Sequence, residues 1–367
     1  MDSSQSSSQS QSQSQANPQA NPQATTSAAA KPLYTRKDFL SSTDPRWCAG
    51  CGTYATFNGI TRTFLNSGIE KEKFAVIAGI GCSSRLPYYS NTYGFHTIHG
   101  RAPTVAMGLK MINPDLNVWV ITGDGDGLSI GGNHFIHLMR RNSNIKMVLF
   151  NNQIYGLTKG QASPTSPLGS KTKSSPYGSV DRPMHPLTMA LGAGATFVAR
   201  VPDNDNELMF QVMQAAMAHQ GIALIEVLIN CVIFNDGIFD PLTNKETRPD
   251  KTVLLEAGKP LIYGQQKNKG IIMKNDRPLS VTIGENGITE KDLILHDPQN
   301  PNSGYSFMLA EMGDQELPVP YGILRQIQEP VHKPHASKGT KEQLQNTLKG
   351  SGAWEVGSDG NIKSLER

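Results

Sequence analysis

The stretch Val118-Trp119-Val120-Ile121-Thr122-Gly123-Asp124-Gly125-Asp126-Gly127 is an apolar run that passes directly into a turn of glycine and aspartate. Such a run, rich in β-branched and aromatic residues, is the pattern of a strand buried on both faces. Further along, Lys146–Phe150 runs in the same way into Asn151-Asn152, and the segment between them, Asn133–Arg140, has helical spacing. Strand, helix and strand in that order form a βαβ unit, whose two strands end on the same edge of a parallel sheet. Asp124 and Asn152, 28 positions apart, therefore meet there.

Working outward, the apolar runs Phe74–Ile80, Ala195–Val201 and Ala223–Ile229 supply three more strands. Tyr54–Leu65, Thr104–Ile112 and Glu207–His219 supply helices. The expected fold is α/β: a doubly wound, mostly parallel sheet of five or six strands covering residues 34–240, with ligands at the carboxyl ends of the strands. Beyond it, Leu261–Gly264, Gly270–Met273 and Leu279–Ile283 read as short strands of a small C-terminal extension, residues 241–329. Residues 1–33 are almost entirely Ser, Gln, Ala, Asn, Pro and Thr, and 330–367 are polar. Both segments are expected to lack order because they bury too little apolar area to offset chain entropy. The arm lacks the basic and apolar blocks of a signal peptide.

Composition excludes whole classes of function. The 367 residues carry 34 Lys+Arg against 31 Asp+Glu, a net +3 that points to no nucleic-acid partner. No run approaches the roughly 18 apolar residues of a membrane helix, so no membrane role is expected. Four cysteines are too few for a secreted disulfide scaffold in a chain this long, which suggests a soluble intracellular protein.

The Gly-Asp-Gly turn suits a diphosphate. Glycines let the backbone approach phosphate oxygens, and the following helix offers unpaired N–H groups. A carboxylate at that place would repel phosphate unless a cation sat between them. Asp124, the Asn152 amide oxygen and the Ile154 carbonyl are hard oxygen donors suited to Mg²⁺. The alternative is two unrelated turns, since Asp-Gly pairs are common turn residues.

The cysteines are Cys48 and Cys51 in Trp-Cys-Ala-Gly-Cys-Gly, Cys82 in Gly-Ile-Gly-Cys-Ser-Ser, and Cys231 after the last strand. Cys82 and Cys231 follow strands and so emerge on the edge that carries Asp124. Four soft donors there fit Zn²⁺ or an iron–sulfur cluster. A thioredoxin-like redox pair with two ordinary buried thiols is a further reading.

Taken together, strand–GDG and strand–NN resemble the thiamine diphosphate-binding domain of thiamine-dependent enzymes. From Trp47 to about Asn235 the chain resembles the β subunit of 2-oxoacid:ferredoxin oxidoreductases. That resemblance rests on WCAGCG, GIGCSS, HGRA (His99–Ala102), GDGD and FNNQIYGLTKGQ (Phe150–Gln161), in this order. It implies thiamine diphosphate contacted by Gly81, Cys82, Ser83, His99, Gly123, Asp124, Gly125, Asp126, Asn152 and Thr158. It also implies Mg²⁺ on Asp124, Asn152 and Ile154, and one 4Fe–4S cluster on Cys48, Cys51, Cys82 and Cys231. Val232 stands where the family commonly has Pro after the fourth cysteine.

The implied reaction is oxidative decarboxylation of a 2-oxoacid to acyl-CoA and CO₂, with electrons passing through the cluster to ferredoxin. The implied assembly is a heterodimer with an α subunit, which supplies an activating glutamate and much of the substrate and coenzyme A site. By the same resemblance Arg85 and Lys159 hold substrate carboxylates, and the surroundings of Lys159 look most like the 2-oxoglutarate-using members. A pyruvate-specific member, a non-redox thiamine decarboxylase or carboligase subunit, and a non-catalytic metal-binding module are the competing readings. The segment Gly160–Pro186, rich in Ser, Pro, Gly and Lys, reads as a functional lid or binding surface, or else as a disordered insertion.

Overall fold

The apolar runs become strands in the computed structural model, which describes residues 34–313, 316–332, 354–356 and 362–364. The strands are β1 (Phe74–Ala78), β2 (Tyr93–His96), β3 (Asn117–Gly123), β4 (Ile145–Asn151), β5 (Phe197–Pro202) and β6 (Ala223–Leu228). They continue with β7 (Thr252–Leu255), β8 (Ile262–Tyr263), β9 (Lys269–Lys274), β10 (Arg277–Thr282) and β11 (Val319–Gln326). The principal helices are α1 (Thr53–Leu65), α2 (Ala102–Ile112), α3 (Gly132–Arg140), α4 (Pro186–Gly192), α5 (Asn206–Ala218) and α6 (Ser303–Glu311).

Eight strands form one sheet in the order β2-β1-β3-β4-β6-β5-β11-β7. From β2 to β5 every neighbouring pair is parallel, so all six carboxyl ends lie on one edge. Only β11 opposes β5, and β7 runs with β11. Alternate residues of each strand enter different cores. Ala75, Ile77, Val118, Val120, Met147 and Leu149 pack against α2, α3, α4 and α6. Val76, Ala78, Trp119, Ile121, Val148 and Phe150 pack against α1 and α5. Burial on both faces is why these strands read as continuous apolar runs rather than as alternating patterns.

The sheet is wider than the expected five or six strands. The stretch expected as a separate extension adds β7, β11 and α6 to the main sheet, and only β8, β9 and β10 form their own three-stranded antiparallel sheet. Pro320 and Gly322 make β11 look like a broken segment in the sequence. Pro320 lies before Gly322, the first β11 residue paired with β5, so no bond to β5 is lost at the proline. Four exposed residues make up the edge strand β2, too few to leave a recognisable run. Past residue 330, Trp354–Val356 and Ile362–Ser364 pair as an antiparallel ribbon, contrary to the expected lack of order. The remainder of that tail past His332 and the whole of the Ser/Gln arm lie outside the described residues. No described helix is long and apolar enough to cross a membrane.

One buried histidine makes the fold sensitive to acid. Thr196 Oγ1 donates to Asn142 Oδ1 at 2.8 Å and lies 2.8 Å from His219 Nε2, so the neutral ring donates through Nε2. Nδ1 is left buried without a partner. Burial, with a smaller contribution from the nearby Lys146 ammonium, pushes the His219 pKa down from 6.5 to about 4. Between those values the unfolded chain binds the proton and the folded chain does not. Stability therefore falls as pH drops from 6.5 to 4, by up to roughly 3 kcal/mol from this group. The expected result is a larger fall in Tm from pH 7 to pH 4.5 in the wild type than in His219→Leu; equal falls would exclude the histidine as the cause.

Candidate functional site

At the carboxyl edge the loops after β1, β3 and β4 spread apart and leave a cleft. Gly81, Cys82, Ser83, His99, Gly123, Asp124, Gly125, Asp126, Asn152, Ile154 and Thr158 all line it. These residues come from four separate segments, and the parallel sheet is what brings them together. After Gly123 the chain turns at once into a π-helical segment, Gly125–Ile130, then into α3. Gly125 has no freedom to be anything larger: a Cβ there would lie 2.1 Å from the Tyr155 ring. The Tyr155 hydroxyl donates to the Gly125 carbonyl at 3.2 Å. GDG and NNxxY are thus two halves of one packed unit.

Asp124 is 3% exposed. Its Oδ2 accepts from the Ser163 and Thr165 hydroxyls, each at 2.6 Å. Among the described residues no lysine, arginine or histidine pairs with it. Burial pushes its carboxyl up to about 6, against the pull of those two hydroxyls. A buried acid without a protein counter-ion among the described residues, lining the same cleft as Asn152 and Ile154, suits a hard divalent cation completed by diphosphate oxygens. No set of three or more His, Cys, Asp or Glu side chains among the described residues could hold a metal ion by itself. A site with one carboxylate, one amide and one carbonyl is not of that kind.

Asp126 lines the cleft and also binds protein donors. Its Oδ1 accepts from Ile80 N at 3.0 Å, His99 Nδ1 at 2.6 Å and Gly100 N at 2.7 Å, and its Oδ2 from Thr122 Oγ1 at 2.7 Å. One carboxylate therefore ties the GIG loop and the HGR loop to the end of β3.

The four thiols gather at the same edge. A Cβ on Gly156 would lie 3.5 Å from Cys231 Sγ and 3.9 Å from Cys82 Sγ, so a side chain there would enter the space between the two sulfurs. Burial raises the Cys82 pKa to about 11, and the thiols of Cys51, Cys231 and Cys48 push it further in that direction. Cys51 is raised by burial too, with Cys231 and Cys48 adding to it. Trp47 Nε1 donates to the Cys82 carbonyl at 2.7 Å and fastens the CxxC loop to the GIGC loop. Asn235 Nδ2 donates to the Asn152 carbonyl at 2.9 Å and fastens the Cys231 loop to the NN loop. All four cysteines are free thiols. Among the described residues, no three of these cysteines stand as the ligands of a single metal ion.

Comparison with known proteins decides the family. Residues 79–227 match the thiamine pyrophosphate enzyme, C-terminal TPP binding domain family. The 2-oxoglutarate oxidoreductase subunit KorB of Mycobacterium tuberculosis is 45% identical over 331 residues, covering 87% of this chain and 88% of the relative. The chain belongs to the 2-oxoacid:ferredoxin oxidoreductase β-subunit family. The 2-oxoglutarate synthase subunit KorB of Archaeoglobus fulgidus is 43% identical over 198 residues, 54% of this chain and 73% of the relative. A solved 2-oxoglutarate:ferredoxin oxidoreductase from Magnetococcus marinus, with 2-oxoglutarate, coenzyme A and succinyl-CoA bound, is 32% identical with a TM-score of 0.68. That match covers 86% of this chain and 96% of that one.

Within this family framework two cations stand apart from the cleft wall. Lys159, at φ 75°, borders a neighbouring groove with Lys171 and Lys173. Arg85 ends the turn after Cys82, where its charge favours the Cys82 thiolate. Some structural residues gave no sequence signal. Asp203 accepts from Asn230 N at 2.8 Å, and its carboxylate occupies the space a Cβ on Gly52 would need, 1.8 Å from Oδ2. It thereby joins the Cys231 loop to the start of α1. Ser163, Thr165 and Ser166 are buried against the site, so the first turn of the expected lid is packed structure.

Proposed function

We propose that this chain is the cofactor-bearing β subunit of a 2-oxoglutarate:ferredoxin oxidoreductase, with thiamine diphosphate and Mg²⁺ in the cleft and a 4Fe–4S cluster on Cys48, Cys51, Cys82 and Cys231. The observation that carries this reading is the double membership of Cys82, which lines the cleft while its sulfur lies among the other thiols. When bound, thiamine diphosphate would supply the electron sink for decarboxylation and the cluster a one-electron acceptor beside it.

The chain's own residues then have defined tasks. Asp124, the Asn152 amide and the Ile154 carbonyl hold the cation. The N–H groups opening the turn after Gly123 hold the diphosphate. Phe150 and Ile229 close the floor of the cleft against water. Arg85 and Lys159 reach the carboxylates of a dianionic acid as it approaches from the open side. An α subunit covers that side and contributes the activating glutamate and much of the coenzyme A site. Ferredoxin takes the electrons, and the reducing conditions such a cluster requires are those of a cytoplasm.

The α/β complex, purified without oxygen, is expected to turn over 2-oxoglutarate with coenzyme A and a ferredoxin, and the isolated chain to show none. Full activity of the chain alone would refute the assignment. Lys159→Ala is expected to raise the KM for 2-oxoglutarate by about 10- to 100-fold, the worth of one charge-assisted hydrogen bond, and to leave that for pyruvate nearly unchanged. Equal effects on the two acids would remove Lys159 from distal-carboxylate binding.

A further inference from the structure

A chain of buried polar groups runs from the cleft through the interior to the opposite side of β4. Thr165 Oγ1 lies 2.6 Å from Asp124 Oδ2 and 2.9 Å from Asn151 Oδ1. Asn151 Nδ2 donates to Glu226 Oε1 at 2.7 Å, and Arg200 Nε donates to Glu226 Oε2 at 2.6 Å. Thr165, Asn151 and Glu226 are each 3% exposed or less. Ser163, 8% exposed, places its hydroxyl on the same oxygen of Asp124 as Thr165 does.

The direction of the bonds at the far end of this chain is set by the carboxylate there. Glu226 accepts from the Arg200 guanidinium in an ion pair, and a carboxylate in that pair only accepts. Asn151 must therefore turn its NH₂ toward Glu226, which turns its oxygen toward Thr165. The Thr165 hydroxyl has one hydrogen between two acceptors, with the shorter contact to Asp124. Both hydroxyls converge on Oδ2 of Asp124. Beneath Ser163 and Thr165 the turn is itself braced, with Ser166 Oγ donating to the Gln153 carbonyl at 2.6 Å and accepting from Ser163 N at 2.8 Å. The far end of the loop returns to the same place, where Met184 N donates to the Pro164 carbonyl at 2.8 Å.

We propose that Ser163 and Thr165, with Asn151, Glu226 and Arg200 behind them, are positioning residues that hold the Asp124 carboxylate in the orientation a divalent cation requires. The inference rests on the reading of Asp124 as a cation ligand and extends it to five side chains that do not touch the cation. Hydrogen-bonded partners behind a metal ligand commonly alter metal affinity by about 10- to 100-fold.

The test uses the α/β complex stripped of divalent cations, with Mn²⁺ titrated in the presence of thiamine diphosphate and free Mn²⁺ read by electron paramagnetic resonance. Thr165→Val keeps the side-chain shape and removes the hydroxyl, and is expected to raise the Mn²⁺ Kd by about 10- to 100-fold. Thr165→Ser is expected to restore affinity to near the wild-type value, which a role in packing alone would not produce. Ser163→Ala carries the same expectation as Thr165→Val, should the latter fail to assemble. Glu226→Gln is expected to weaken Mn²⁺ binding in the same direction, because the Asn151 amide is no longer held one way round. Wild-type affinity in Thr165→Val or Ser163→Ala, with Asp124→Ala impaired, overturns this proposal alone. Wild-type affinity in Asp124→Ala overturns the ligand reading and this proposal with it.

Discussion

Asp126→Ala is expected to destabilise the protein by about 3–5 kcal/mol and to abolish cofactor binding in the same step. The size of the effect follows from what the carboxylate holds. Four donors converge on it, and two of them, Ile80 N and Gly100 N, are backbone groups without another acceptor among the described residues. Each buried donor left without a partner costs about 1–3 kcal/mol. A Cβ at Gly79 would lie 2.0 Å from Asp126 Oδ2, so the GIG loop is shaped around this carboxylate. Losing it releases the loop that carries Cys82 and the loop that carries His99 from β3. Asp126→Asn should be milder, since its oxygen can keep the three donors now on Oδ1 and its NH₂ can donate to the Thr122 hydroxyl, which also accepts. A thermal melt of the alanine variant is expected to shift down by roughly 10 °C. A shift under about 2 °C with normal thiamine diphosphate binding would show that the four bonds contribute little.

Cys231→Ser is expected to reduce iron in the anaerobically purified complex from about four atoms per chain to near zero, and to eliminate ferredoxin reduction. Serine keeps the size of the side chain but presents a hard oxygen where a soft thiolate is needed. The Cys231 loop does not depend on a proline to keep its shape: Asn235 N donates to the Cys231 carbonyl at 3.0 Å, and Val232 Cγ1 lies 3.5 Å from where a Cβ on Gly50 would be. Val232 at the position where the family commonly has Pro is therefore accommodated. Asp124 lies on a different loop, so Mn²⁺ binding with thiamine diphosphate should survive this substitution. Undiminished iron would remove Cys231 from the cluster, and zinc in place of iron would favour a structural metal instead.

Most of the sheet was legible from the amino-acid order, because strands buried on both faces appear as unbroken apolar runs. Phe74–Ile80 and Val118–Thr122 match β1 and β3 to within two residues at either end, and Tyr54–Leu65 matches α1 to within one. Local pattern also placed Asp124, Asn152 and Cys82 on one edge, since parallel strands end together. The order of residues was silent on which sheet β7 and β11 would join, because a short strand next to Pro320 and Gly322 looks the same in either place.

Nor could it show that Asp126 binds four protein donors, or that Thr165 meets Asp124 across 41 positions and Asn151 meets Glu226 across 75. Secondary structure leaves a periodic trace because its bonds are local, repeating every two or 3.6 residues. A buried hydrogen-bond chain has no period. Its members are brought within 3 Å only when strands distant in the chain are laid side by side, and that placement is decided by the packed sheet.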